Sequence, residues 1–149
     1  MKLFVKDRMD LTETEVEIRC RERDSEVENI IRSVQTAGDY LICEKENGDK
    51  SPVYISRILY FEAVERNVFA YTSDELYKID CTLYDLEDKL SDRNFIRVSK
   101  SSVVSLKAVK SIYPESARRL KLLLTNGEWV IVSRNYVSDF RAGIGLKKN

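Results

Sequence analysis

The sequence predicts a mainly β protein, α+β overall, in which a small N-terminal α/β segment precedes a larger β-rich part. The β part is predicted by two Asn-Gly pairs, at 47–48 and 126–127, which each join runs of alternating apolar and polar residues. The helical part is predicted by apolar residues that recur three and four positions apart, as on one face of an α-helix. These residues are Val27, Ile30, Ile31 and Val34.

The N-terminal segment is expected to cover residues 1–45. Residues 1–8 and 15–21 are predicted to form strands, the second because Val16, Ile18 and Cys20 alternate with charged neighbours. A helix is predicted to start near residue 25, with Asp24 or Ser25 as its cap, and to end at Gly38. Because two short strands leave apolar surface uncovered, we expect this segment to form a homodimer contact.

The second part is expected to cover residues 46–149 and to consist mostly of hairpins. Both Asn-Gly pairs predict type I′ turns. Further strands are predicted in "ILYFEAV", "VFAYTS", "YKIDC" and "AVKSIYPE", and a short helix in "TLYDLEDKLSD" with Thr82 as its cap. One or two helical turns are predicted at the end, where Tyr136 and Phe140 are four residues apart.

The composition limits the possible functions. The chain has no histidine, which excludes Ser-His and Cys-His nucleophile pairs and most zinc sites. Its three cysteines are far apart and favour reduced thiols over a disulfide framework. No apolar run reaches the roughly 20 residues of a membrane span, and the N-terminus lacks a signal-peptide pattern. We expect a cytoplasmic protein that is not an enzyme, with no metal, cofactor, small-molecule substrate or membrane contact.

Charge is divided unevenly along the chain. Residues 1–90 carry 13 basic and 21 acidic side chains, whereas residues 91–149 carry 12 basic and 4 acidic ones. A basic region favours a polyanionic partner. Two halves that attract each other within one fold would explain the same pattern, and both interpretations remain open at this point.

The basic and amide side chains of interest fall at predicted loop tips and strand ends. Arg and Asn have the donor and acceptor geometry that reads guanine and adenine edges, while Ser and Lys suit phosphate oxygens. Taken singly, each is also consistent with a solvated surface residue. Together they predict a nucleic-acid site. The candidate DNA-binding residues are Arg66, Asn67, Ser99, Lys100, Ser101, Lys107, Arg134 and Asn135.

The aromatic residues in strand-like runs are predicted to fill a core, with a stacking platform for single-stranded bases as the alternative. They are Tyr60, Phe61, Phe69, Tyr71 and Trp129. Another stretch, "FIRVSKSSVVSL", places five polar donors almost side by side. These are Arg97, Ser99, Lys100, Ser101 and Ser102.

Three segments in order resemble the LytTR family of bacterial DNA-binding domains over about residues 53–145. They are "ILYFEAVERNVFAYT", "LYDLEDKLSDRNFIRVSKSSVVSLKAVKSI" and "LLLTNGEWVIVSRNYVSDF". The shared pattern is I-x-Y-x-E, then L-x-x-L-E before F-x-R-x-x-x-S-x-x-V, and finally N-G-x-x-x-x-V-S-R. Since the first 50 residues are too short for a receiver domain, we expect a stand-alone regulator.

The resemblance implies elongated antiparallel β-sheets with short helices, and loops that enter the DNA major groove at two successive turns and bend the duplex. It places the contacts at residues 66–67, at 99–101 and at Arg134, so the polar donors of "FIRVSKSSVVSL" would face DNA at a loop tip. Many members have His and Arg where this chain has Ser99 and Lys100, and Asn at Ser105. Lys100 carries a compact charge, whereas the guanidinium of arginine can form two parallel hydrogen bonds to one base. The lysine therefore favours a phosphate contact.

The sequence therefore predicts a bacterial transcription regulator that binds double-stranded DNA as a homodimer. The alternative is a protein-interaction module whose basic face binds an acidic partner.

Overall fold

The computed structural model describes residues 1–145, except for the side chains of residues 35 and 36. The chain forms two compact units, Met1–Ala37 and Gly38–Asn149. The division lies before the predicted boundary at residue 45, because the strand that follows Gly38 pairs within the second unit.

The first unit contains the predicted helix, α1 (Ser25–Thr36), which begins as expected at Asp24. The Asp24 side chain accepts a hydrogen bond of 3.0 Å from the backbone N–H of Val27. The strands predicted for residues 1–8 and 15–21 are absent, and that prediction is wrong for a single chain. Two strands without further partners are marginal in water, and α1 is the unit's one regular element in the described residues.

The second unit has ten strands within its described residues. They are β1 (Tyr40–Glu44), β2 (Lys50–Tyr54), β3 (Tyr60–Val64), β4 (Asn67–Tyr71), β5 (Leu76–Ile79), β6 (Phe95–Ser99), β7 (Ser102–Ser105), β8 (Val109–Glu115), β9 (Arg119–Leu124) and β10 (Trp129–Val132). The first seven form one sheet in the order β2-β1-β5-β4-β3-β7-β6, and the last three form a second sheet in the order β10-β9-β8. All strand pairs are antiparallel, and two short helices, α2 (Leu83–Lys89) and α3 (Val137–Gly143), complete the unit.

Apolar side chains on the two faces of the seven-stranded sheet contribute to two separate cores. Leu83, Leu86 and Leu90, from α2 and its C-terminal cap, belong to the first core. Thr82 and Asp85 form a reciprocal capping box that fixes the start of α2. The second core joins residues of β3, β6 and β7 to the inner face of the three-stranded sheet and to Phe140 of α3. The second core thus ties the smaller sheet to the larger one.

A polar contact also joins the two sheets. The Tyr60 hydroxyl donates a 2.7 Å hydrogen bond to Glu128, which follows the β9–β10 turn, and its ring stacks on Tyr71 with centroids 4.3 Å apart. Burial, together with the nearby Glu128 carboxylate, holds the pKa of Tyr60 far above its usual range. The hydroxyl therefore stays protonated and keeps its donor role at all physiological pH values.

The two Asn-Gly hairpins form as predicted, but their turns are not of type I′. Among the residues of these turns, positive φ occurs only at Gly48 (+90°) and Gly127 (+89°), whereas type I′ needs it at both central residues. The N–H of Gly127 donates to the carbonyl of Leu124 at 3.0 Å, and Leu124 N–H donates to Glu128 at 2.8 Å. Each glycine thus occupies the left-handed position after a type I turn, a frequent longer hairpin connection.

The aromatic prediction is correct for Tyr60 and Phe61, which are buried, and Phe69 and Tyr71 are half-buried. It is wrong for Trp129, which is 48% exposed on the outer face of the three-stranded sheet. There the Lys121 amine lies 4.2 Å from the centroid of the Trp129 ring. Alternation along β10 gives its inner positions to Val130 and Val132, so its first residue points outward.

Candidate nucleic-acid interface

The turn between β3 and β4 carries the first two predicted residues. Val64 pairs with Asn67, so only Glu65 and Arg66 form the connection, and Arg66 is exposed at its tip. Glu65 has a φ of +58°, a left-handed conformation that L side chains rarely adopt. Asn67 is the first residue of β4 and is half-buried.

The loop between β6 and β7 is a compact turn with Lys100 exposed at its tip. The Ser99 hydroxyl accepts a 3.1 Å hydrogen bond from the backbone N–H of Ser101, and the two hydroxyls lie 3.3 Å apart. The register shifts between Arg97 and Ser99, an irregularity of the kind that redirects side chains at a strand end. Ser99 and Ser101 thus shape the loop in addition to offering donors.

Two members of the polar run do not point out from the tip, contrary to the expectation for "FIRVSKSSVVSL". Arg97 donates to the carbonyls of Ser99 at 2.6 Å and Lys100 at 2.7 Å, and its third contact is Glu87 of α2 at 3.1 Å. Its side chain is only 18% exposed. Ser102 is buried in β7. Arg97 therefore holds the loop from within, a role that its sequence position did not reveal.

The third segment follows β10. Arg134 and Asn135 are exposed in a 3-10 turn, Arg134–Tyr136, that leads directly into α3. The preceding residue, Ser133, donates its backbone N–H to the carbonyl of Val98 in β6 at 2.9 Å. Buried Phe140 anchors α3 in the second core. The backbone at Arg134 is therefore held on its N-terminal side by β6 and on its C-terminal side by α3.

Two backbone hydrogen bonds bring these three segments to one end of the second unit. Ala63, next to the β3–β4 turn, donates its N–H to the carbonyl of Ser101 at 2.8 Å. Ser133 bonds to Val98 beside the β6–β7 loop. Since neighbouring strands lie about 4.8 Å apart, the three tips follow one another along a single edge. We call this set, residues 65–67, 99–101 and 134–135, the tip cluster.

Lys107 is the one predicted residue outside the tip cluster. It is exposed in the 3-10 turn Leu106–Ala108, after the last residue of β7. The β6–β7 loop lies at the other end of that four-residue strand, roughly 13 Å away at about 3.3 Å per residue. A DNA contact at Lys107 would therefore be separate from the tip cluster and remains a prediction.

The basic side chains of the tip cluster are not used by the fold. Within the described residues 1–145, the side chains of Arg66, Lys100 and Arg134 make no hydrogen bond or ion pair. By contrast, Arg93 is paired with Asp39 at 2.6 Å and Arg97 with Glu87. Three unpaired cations on fixed turns form a surface suited to an anion.

Other kinds of site find little support in the described part of the chain. Residues 1–145 contain no group of three or more His, Cys, Asp or Glu side chains placed to hold a metal ion. Burial raises the pKa of the Cys43 thiol to about 11, so at neutral pH it is not a reactive thiolate. None of the described helices has both the length and the apolar character needed to cross a membrane.

The chain is similar to proteins that are named as a transcriptional regulator and as a sensory transduction protein. The chain is 24% identical over 147 residues to an uncharacterized HTH-type transcriptional regulator of Staphylococcus aureus (strain bovine RF122 / ET3-1), covering 98% of this chain and 99% of the relative. It is 34% identical over 89 residues to the sensory transduction protein LytT of Enterococcus faecalis, covering 59% of this chain and 37% of LytT.

The fold has a solved counterpart in the LytTr DNA-binding domain of a Bacillus cereus protein. The two superpose with a TM-score of 0.68 at 29% identity, covering 72% of this chain and 97% of that domain. Residues 50–145 match the family model described as the LytTr DNA-binding domain. The chain therefore belongs to the LytTR family of DNA-binding domains.

Proposed function

We propose that this protein is a transcription regulator that binds double-stranded DNA in a sequence-specific manner. The observation that carries the proposal is the convergence of the three tips on one edge, held there by the Ala63–Ser101 and Val98–Ser133 hydrogen bonds. Side chains on rigid strand ends can enter a groove without a large ordering cost.

The residue types divide the tip cluster into two roles. Arg66 and Arg134 can form two parallel hydrogen bonds to a guanine edge in the major groove, and Asn135 can do the same with adenine. Lys100 carries a compact charge that suits a phosphate oxygen, and the adjacent serines can donate to the same backbone. We infer that the arginines read bases while the β6–β7 loop fixes the register.

The loops, and not a helix, are the proposed reading elements. Similar proteins are named HTH-type transcriptional regulators, which supports a regulatory role. In residues 1–145, however, strands separate the three α-helices from one another, and α2 and α3 each have only seven residues. A recognition helix in the major groove is therefore not the favoured arrangement. We propose instead that the loops enter the groove at successive helical turns.

The test is selection from a random duplex library, followed by titration of the selected duplex at several salt concentrations. Several phosphate contacts predict that log K falls linearly with log salt, with a slope of about −0.9 per contact. Methylation protection of guanine N7 should reveal major-groove contacts in patches about 10 base pairs apart. Failure to enrich any sequence, with binding to an acidic protein instead, would favour the interaction-module alternative.

We also propose that the protein acts as a homodimer. Residues 1–24 contain no helix or strand, and Leu3, Phe4 and Val5 are 77–88% exposed in the single chain. An exposed apolar segment outside any helix or strand can pair with a second copy of itself. A dimer has two DNA-binding units. It would bind DNA more tightly than a monomer, because the second contact becomes intramolecular once the first has formed.

A further inference from the structure

The hairpin between β8 and β9 has an unusual turn. Glu115 pairs with Arg119, and the Arg119 N–H lies 3.4 Å from the Ser116 carbonyl, so Ala117 and Arg118 are central in the turn that starts at Ser116. Their φ values of +59° and +62° are the left-handed pair that a type I′ turn requires. Such turns usually take Asn and Gly there, because other L residues are strained in this conformation. The sequence gives no Asn-Gly signal at this position. The strain is thus retained at a turn that carries an exposed arginine.

Left-handed non-glycine residues occur in two surface turns, Glu65 between β3 and β4 and the pair Ala117 and Arg118 between β8 and β9. Within residues 1–145, four non-glycine residues have positive φ, namely Glu65, Asn94, Ala117 and Arg118. Glu65 belongs to the tip cluster. Asn94 is a residue type that tolerates this conformation. Strain kept at a surface tip is a feature of functional sites, and the β8–β9 turn has it at two adjacent residues.

Strand register places this turn beside the tip cluster. Val132, the last residue of β10, pairs with Leu120 of β9, and Leu120 pairs with Pro114 of β8. Both Arg134 and Arg118 lie two residues beyond the Val132–Leu120 pair, past the same end of the three-stranded sheet. The β8–β9 turn is therefore the next tip after Arg134 along the edge.

Arg119 stabilises this turn, whereas Arg118 is exposed on it. Arg119 donates from Nε to the Ser116 carbonyl at 3.1 Å and from Nη2 to the Ser116 hydroxyl at 3.3 Å, so it braces the turn. Arg118 is exposed, and its guanidinium makes no hydrogen bond or ion pair to any residue in the described range 1–145. The turn thus presents one unpaired cation on a braced backbone.

We propose that Arg118 binds a DNA phosphate at the flank of the sequence that the tip cluster reads. The inference rests on the proposed function. Arg118 lies in the turn between β8 and β9 of the smaller sheet, beyond Arg134 along the edge, where we place the sugar-phosphate backbone that bounds the groove. Arginine is well matched to phosphate oxygens. The contact contributes affinity but no sequence preference.

The experiment compares Arg118→Gly with Ala117→Gly on the full chain. Both substitutions place glycine at a left-handed position and relieve backbone strain, so neither should lower the melting temperature. Only Arg118→Gly removes the cation. It should weaken binding to the selected duplex and to random duplex by the same factor and reduce the salt slope by about 0.9. Ala117→Gly should leave affinity and slope unchanged, and Arg118→Lys should keep the slope.

The other outcomes overturn the inference in distinguishable ways. An unchanged slope in Arg118→Gly would mean that no phosphate is bound there. Weakening confined to the selected duplex would make Arg118 a base-reading residue. A lower melting temperature accompanied by weaker binding would indicate a structural role. If the wild-type chain shows no salt-dependent duplex binding, the proposed function itself fails, and the phosphate contact fails with it.

Discussion

At the scale of single residues, the use of each arginine depends on neighbours that are distant in sequence. Arg97 and Arg134 both lie near strand ends in a basic region. Yet Arg97 is held by two carbonyls and Glu87, while Arg134 is unpaired among the described residues. Residue type and spacing correctly predicted that Arg66, Lys100 and Arg134 lie at turns. They could not predict which side chains the fold would use, because Glu87 is brought to Arg97 only when α2 packs on the sheet.

Arg134→Ala tests base reading by the tip cluster. The side chain is exposed and has no partner within residues 1–145, so its loss should not change the melting temperature. If it forms two hydrogen bonds to one guanine, the substitution should cost about 1–3 kcal/mol on the selected duplex. Selection with the variant should then show relaxed preference at a single position.

Lys107→Ala is the matched control for that experiment, since Lys107 is exposed and basic but lies at the other end of β7. As a phosphate contact it would affect all sequences alike, and it should leave the selected consensus unchanged. Equal affinity of Arg134→Ala and wild type for the selected duplex would contradict base reading at this residue.

At the scale of elements, strands bounded by strong turn signals were predicted well. The alternating runs around both Asn-Gly pairs form hairpins, and the capped helices begin where expected. The turn type was missed because Asn-Gly fits both a type I′ turn and a type I turn followed by a left-handed glycine. The type I′ turn at Ala117–Arg118 was missed because it lacks the usual residues. The N-terminal strands failed because alternation cannot supply a pairing partner.

Gly127→Val tests the assignment of the β9–β10 turn as a structural device. No atom lies within 4 Å of a Cβ added at Gly127, so the substitution causes strain only through its φ of +89°. A β-branched residue in that conformation should lower the free energy of unfolding by about 1–2 kcal/mol, measured by urea denaturation. Gly127→Asn should cost less, because asparagine tolerates the left-handed region.

Affinity for the selected duplex, measured well below the melting temperature, should not change, since Arg134 lies beyond the opposite end of β10. Normal stability with lost binding would refute this assignment.

At the scale of the whole molecule, the basic residues that are concentrated late in the sequence lie together in the second unit. The basic third of the sequence supplies β6 to β10, and with them Lys100, Arg118 and Arg134 at one edge. Only Arg66 comes from the acidic part. An edge with four unpaired cations would steer a duplex towards it at low ionic strength, independently of sequence. In the proposed function, base reading is left to Arg66 and Arg134.

The homodimer proposal makes the last prediction, which concerns Leu3 and Val5. Residues two apart face the same side when a segment pairs as a strand. These two are 88% and 82% exposed in the single chain. The double substitution Leu3→Glu, Val5→Glu should therefore leave the melting temperature of the single chain unaltered. In a dimer built on this segment it would bury unpaired charges. Sedimentation at micromolar concentration should show a dimer for the wild type and a monomer for the variant, which should also bind a two-half-site duplex at least about a hundredfold more weakly. Tyr84→Glu, at a 75% exposed position of the second unit, is the control that should stay dimeric. A wild type that sediments as a monomer, or a variant that remains dimeric, would exclude this segment as the contact.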